Sequence, residues 1–291
     1  MRAVLVHFIG LVLLLGSTLP QDIVAHAEAK ASGAIPQLAI VRPQKRDPNI
    51  TRKAIKAVKR RTSAKQIIKF PSPSVGLLPV VNQEDIRVHH RKMADDVLRS
   101  LPAACTDHLE NFYVRYDNPE RRGLAGKKSI ILDGTVPDDE FVALLIHEFG
   151  HITDLGCMAG SKEIAPSGYK DGSEIIYAND PSVSFYSISW KDAKTQTTNS
   201  SPEDFVSGYA GWDAFEDFAE TYVYYALQNE SFRTRARKNP VLAAKYRWMS
   251  RNAFANTTKI AEGNFVWEGR IPWDTTKLSY KWLEPDELAL K

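Results

Sequence analysis

Cysteine is nearly absent from this 291-residue chain, which contains only Cys105 and Cys157. Two thiols exclude a disulfide-rich scaffold and leave one conceivable bridge, so the open question is whether that bond forms, not how it is connected. Long hydrophobic runs are equally scarce. Beyond the first fifteen residues nothing approaches the 18 consecutive apolar residues that a membrane span requires. The exception is the start, "MRAVLVHFIGLVLLLGSTLPQDIVAHA", with Arg2, a mostly apolar run from Ala3 to Leu15, and the triplet Ala25, His26, Ala27. That pattern predicts a secretory signal peptide over residues 1–27, cleaved after Ala27, and a soluble chain outside the cytoplasm. No cysteine follows closely enough to suggest a lipid-anchored start. In an oxidising compartment Cys105 and Cys157 could pair. Asn-x-Ser/Thr sequons begin at Asn49, Asn199, Asn229 and Asn256.

Acid is missing from one stretch in particular. Between Arg42 and Lys69 there are eleven Lys or Arg against the single acid Asp47, a net charge of +10 in a chain whose total is +3. Residues 28–81 therefore read as a basic, Pro-containing arm, ending in the joint "FPSPSVGLLPVVN", ahead of a mildly acidic body over 82–291. Residues 42–69 suit an anionic surface or polymer, although a solvated tether with at most a short helix through Ala54–Val58 is the plainer reading. No pattern of specific nucleic-acid recognition is present, and nothing bears on oligomeric state.

In the body, "QEDIRVHHRKMADDVLRSLP" predicts a helix with Ile86, Met93, Val97 and Leu101 toward the core. Strands are expected at 111–117 and 128–134, separated by the turn-like "NPERRGLAG". Residues 158–208 read as loops with short strands, among them "VSFYSISW". Two helices carry the chemistry. "LLIHEFGHITDLG" (144–156) holds His147, Glu148 and His151 as HExxH on a helix expected from Asp138 to Leu155 and stopped at Gly156. Residues four apart share a helical face, so two imidazoles can reach one ion with a carboxylate beside them. "GWDAFEDFAETYVYYALQN" predicts a second helix, capped by Asp213, with Phe215, Phe218, Ala219, Tyr222 and Ala226 forming its buried stripe. Glu216 and Glu220 also lie four apart. Two carboxylates on one face repel unless held, which suits a metal ligand plus a partner for a metal-bound histidine; two solvated glutamates are the bland alternative.

Zinc in a catalytic site takes three protein ligands and an open position. A metzincin pattern would require Gly at 154 and His at 157, where this chain has Asp154 and Cys157. Cys157 could be a ligand, but a bridge to Cys105 is the simpler use. His89, His90 and His108 have no ligand spacing to one another or to the motif and read as surface or core residues.

"HEFGH", "FVSGYA" and "EDFAE", taken together over roughly residues 100–250, resemble the gluzincin metallopeptidases, and most closely the branch that contains the catalytic domain of anthrax lethal factor. The resemblance implies an α+β zincin-like domain with a small mixed sheet, an active-site helix and a following ligand-bearing helix. It implies one zinc ion held by His147, His151 and Glu216, with Glu220 and Asp154 supporting the site and Tyr209, seven residues before Glu216, stabilising an oxyanion. Glu148 would be the general base activating water against a peptide bond of a peptide or protein substrate. The rival readings are a non-catalytic extracellular protein that keeps zinc for structure, and a surface-anchoring protein acting through its basic arm. Glu148 argues against the first, because a structural site needs no base.

Overall fold

Helix α1, Val88–Ser100, forms where Ala94, Val97 and Leu98 recur at helical spacing and are buried together with His90. It starts later than the sequence suggests. Of the expected stripe, Ile86, Val97 and Leu101 lie in the core, whereas Met93 is only partly covered. The body also begins ahead of Asn82: Val81 is fully buried and the Leu78 amide donates to Asp95 Oδ1 at 2.6 Å. This computed structural model describes residues 76–255, 260–263 and 265–283, all within one compact unit, Phe70–Lys291. The expected signal peptide, the basic segment 42–69 with its short helix, and the sequons at Asn49 and Asn256 lie outside the described residues.

Strands β1 (Asn111–Arg115), β2 (Gly123–Ala125) and β3 (Ser129–Asp133) form a mixed sheet in the order β1-β3-β2. β1 and β3 run parallel, with Phe112 opposite Ile130 and Val114 opposite Leu132, all four buried. β2 is antiparallel to β3 and forms an edge. The stretch between the two expected strands is thus not a simple turn. Its last part pairs with β3, so a parallel β1–β3 pair replaces a hairpin.

Helix α2, Asp138–His151, begins after Pro137 with Asp138, Asp139 and Glu140 in its first turn, where carboxylates offset the positive end of the helix dipole. It is buried on most sides, as expected for a helix in the middle of a domain. The α geometry ends at His151, and Ile152–Cys157 continue as a π-helical segment instead of carrying the α-helix on to Leu155. Gly156 stands where a β-carbon would come within 2.2 Å of the Lys127 carbonyl oxygen, so packing against the β2–β3 turn requires glycine. Cys157 is bonded to Cys105 with S–S 2.05 Å, which ties the segment Ala103–His108 to the end of this helix and removes Cys157 as a metal ligand.

A hairpin follows, β4 (Pro166–Asp171) and β5 (Glu174–Tyr177). The stretch expected as a strand, 183–190, contains instead helix α3, Ser182–Tyr186. Its composition favours a strand, but an extended chain would send Phe185 and Tyr186 to opposite faces, and both are wholly buried. Asp180 Oδ1 accepts from the Ser182 amide and starts the turn. Helix α4, Ala214–Leu227, is capped as expected: Asp213 Oδ1 accepts from the amides of Phe215 and Glu216 at 3.0 and 2.8 Å. Helices α5 (Asn229–Ala236) and α6 (Pro240–Trp248), then the antiparallel pair β6 (Ala261–Gly263) and β7 (Tyr280–Trp282), complete an α+β fold. Asn229 is buried and donates to the Tyr225 carbonyl, so its sequon is hidden. Among the described residues no helix is long and apolar enough to cross a membrane.

Two buried cations organise the approach to α4. Lys245 Nζ, with no solvent exposure, donates to both Asp217 oxygens (2.9 and 2.7 Å) and to the Asp204 carbonyl. Arg235 donates to the carbonyls of Phe205 and Val206. Together they hold the segment that leads into Ser207–Tyr209. Burial pushes the Lys245 ammonium down and the Asp217 carboxyl up, while their mutual attraction opposes both shifts. Lys245→Ala is expected to cost about 3–5 kcal/mol of folding stability by stranding the Asp217 charge. Lys245→Met with Asp217→Leu should recover part of that, because the Trp190 indole N–H then loses its Asp217 acceptor. Denaturant unfolding of the single and double variants checks both, and a loss below about 1 kcal/mol for Lys245→Ala would show the pair to be dispensable.

Candidate metal centre

α2 and α4 approach closely because both present small residues at the crossing. A β-carbon on Gly150 would lie 3.1 Å from the Ala219 Cα. Gly150 belongs to "HEFGH" and Ala219 to "EDFAE", so the two motifs supply the contact as well as the polar groups. The crossing sets His147 and His151 of α2 against Glu216 and Glu220 of α4. Glu216 Oε2 lies 3.3 Å from His147 Nε2 and 3.6 Å from His151 Nε2. The three donor atoms of His147, His151 and Glu216 fall within 4.8 Å of one another.

Glu216 Oε2 is buried and makes no hydrogen bond. A buried carboxylate oxygen aimed between two imidazole nitrogens is placed as a ligand atom would be, and the donor set of two imidazoles and a carboxylate suits zinc. Charge agrees. Burial works against the Glu216 carboxylate, yet the flanking imidazoles hold it well below the ordinary carboxylate range. Burial likewise opposes protonation of His147 and His151, but the surrounding carboxylates raise both above the usual histidine value. The site thus calls for positive charge, which a divalent ion satisfies with release of protons.

Glu220 is fully buried and its contacts are all donors. His147 Nδ1 lies 3.0 Å from Oε1; a carboxylate only accepts, so the ring carries a proton on Nδ1, which makes Nε2 the nitrogen left to face an ion. On Oε2 Glu220 accepts from Ser207 Oγ at 2.5 Å and the Thr275 amide at 2.9 Å. Ser207 lies inside "FVSGYA", where only Tyr209 carried an expected role, and Thr275, 55 positions from Glu220, has no motif. Arg122 joins the same network through Asp274 and Glu140, and Asp274 caps the turn that carries Thr275.

Glu148 is buried beside the edge strand. A β-carbon on Gly123 of β2 would lie 2.2 Å from Glu148 Oε1, so glycine there leaves the space the carboxylate fills. Burial raises the Glu148 carboxyl, the neighbouring imidazoles opposing. Tyr209 is brought to the centre: its hydroxyl donates to Glu216 Oε1 at 2.8 Å and its ring stacks on His147 with centroids 6.2 Å apart. Burial raises the phenol, which stays protonated and a donor. Tyr209 itself is held by the segment near the C-terminal end, with its amide donating to the Trp273 carbonyl at 2.8 Å. Asp154 sits in the π-helical segment, fully buried, accepting from Tyr186 at 2.5 Å; its Oδ2 has no partner and burial pushes its carboxyl up to about 7. It makes no hydrogen bond to His147 or His151. His108 closes the short helix Ala103–His108, away from these groups.

Comparison of the chain with protein-family models, with curated proteins and with solved structures found no match in any of the three.

Proposed function

We propose that the chain is a zinc-dependent peptidase with a zincin-like catalytic domain, secreted after removal of its signal peptide. The observation that carries this is Glu216 Oε2, buried without a hydrogen bond between two imidazole nitrogens, with the Glu148 carboxylate adjacent. His147, His151 and Glu216 would hold one zinc ion, which supplies Lewis-acid activation of water and of the scissile carbonyl. Glu148 accepts the proton of the attacking water and delivers it to the leaving nitrogen. Its dry surroundings strengthen it as a base. Glu220 fixes the tautomer of His147, and the Ser207 and Thr275 donors fix Glu220. Tyr209 donates a hydrogen bond at the position where negative charge develops on the carbonyl oxygen, after turning from Glu216. A peptide is favoured over other acyl substrates because β2, beside Glu148, is an edge strand along which an extended chain can pair.

The test is cleavage of casein with and without a chelator, together with metal content. Chelator-sensitive cleavage restored by zinc is expected. Metal-independent cleavage would overturn the zinc mechanism, and a zinc-loaded chain inactive on all unfolded substrates would leave a non-catalytic zinc protein as the better account. Tyr209→Phe should lower kcat about 10²–10³-fold when zinc is saturating. Because the phenol also holds Glu216, zinc affinity should fall up to ~10-fold. Assays at rising zinc separate the effects, and full recovery of kcat by added zinc would make Tyr209 a support for Glu216 alone.

A further inference from the structure

His89 and His90 have no ligand spacing to another histidine along the chain. The fold supplies a third group from 48 positions away. His89 and His90 in the first turn of α1 meet Asp138 at the start of α2, with one donor atom from each lying within 4.8 Å of the others. His89 Nε2 is 4.0 Å from Asp138 Oδ1, and the two imidazole rings have centroids 3.9 Å apart. We propose that His89, His90 and Asp138 form a second metal site, for a borderline divalent ion of the zinc class, that braces α1 against the start of α2.

His90 is the anchor. Its ring lies against Phe141 and Tyr116, centroids 4.4 and 5.5 Å away, so its orientation is set before any ion binds. Tyr116 Oη lies 2.9 Å from His90 Nδ1, and with Nδ1 donating to that oxygen Nε2 is the nitrogen left for an ion. His89 and Asp138 are exposed, leaving room for water to complete the shell. Two imidazoles and one carboxylate suit zinc, copper or nickel and not calcium or magnesium, which prefer all-oxygen shells. Two charges oppose the ion: the positive end of the α2 dipole, offset by Asp138 and Asp139, and Arg87, whose guanidinium is instead held over the Tyr116 ring at 4.1 Å. Asp138 precedes His147 by nine residues, about 13 Å along the helix, so the two centres cannot share one ion.

The experiment is zinc titration of the untagged full-length chain by calorimetry, with thermal melts alongside. Wild type should take up two equivalents. His89→Ala should lose one and keep the other, Asp138→Asn should weaken the same equivalent on the order of 10-fold or more, and Glu216→Ala should lose only the other. Both substituted side chains of the second site are exposed, so folding is spared, and His90 is left in place because it packs in the core. In Glu216→Ala, zinc should still raise Tm, and adding His89→Ala should abolish that rise. A single equivalent that disappears in Glu216→Ala would overturn the proposal, as would a second equivalent untouched by both His89→Ala and Asp138→Asn. Loss of an equivalent in His89→Ala with none lost in Glu216→Ala would support this site and count against the catalytic centre.

Discussion

Glu148→Gln is expected to leave folding and zinc uptake unchanged while removing about 10²–10⁴ of the turnover number, the range general-base catalysis contributes. The amide fills the same space against Gly123, so packing at the edge strand survives. What it lacks is a lone pair basic enough to take the proton of the attacking water. Burial already raises the Glu148 carboxyl, placing the native group closer to the basicity the step requires. The measurement is kcat and KM on a quenched peptide, alongside zinc content and a thermal melt. Exposing extracellular proteins to wild type and to Glu148→Gln and labelling the new termini would give the substrate from the same pair. A variant within a few-fold of wild type on any peptide would remove Glu148 from the chemistry.

The second large effect is a contrast between two glutamates one helical turn apart. Glu216→Ala should abolish tight zinc binding at the HExxH centre, because only two of three ligands remain. Glu220→Ala should weaken it by about 10–100-fold, as loss of an outer hydrogen-bond partner does. Glu220→Ala should also lower folding stability by about 1–3 kcal/mol, since His147, Ser207 and the Thr275 amide are left buried without their acceptor. Glu216→Ala removes one oxygen that makes no hydrogen bond and one that accepts from the Tyr209 hydroxyl, a single donor stranded against three, so its stability cost should be smaller in the metal-free chain. Competition with a chromogenic chelator and urea unfolding of both variants give the four numbers. The reversed pattern, zinc lost in Glu220→Ala and kept in Glu216→Ala, would exchange the roles.

Local chemistry made the two helices of the centre legible. His147 and His151 sit four apart, as do Glu216 and Glu220, and a helix places such pairs on one face whatever surrounds it. Asp213 could be recognised as a cap for the same reason: its carboxylate needs only the amides two and three residues on. The strands around Phe112 and Ile130 were visible from their composition, but not that they run parallel, because that depends on where the chain between them goes. Tertiary packing decided what those local rules cannot address. Phe185 and Tyr186 entered the core together and made a helix of a strand-like sequence. Gly123 opened the space for Glu148, and Gly150 let α2 close on Ala219. Ser207 and Thr275 reached Glu220, and Asp138 reached His89 and His90, across 13, 55 and about 50 positions. Helix faces and caps are settled by forces acting within a turn or two of chain, so sequence alone determined them. The second partners of the buried carboxylates depend on which distant donors the closed core brings within about 3 Å, and only the tertiary structure decided that.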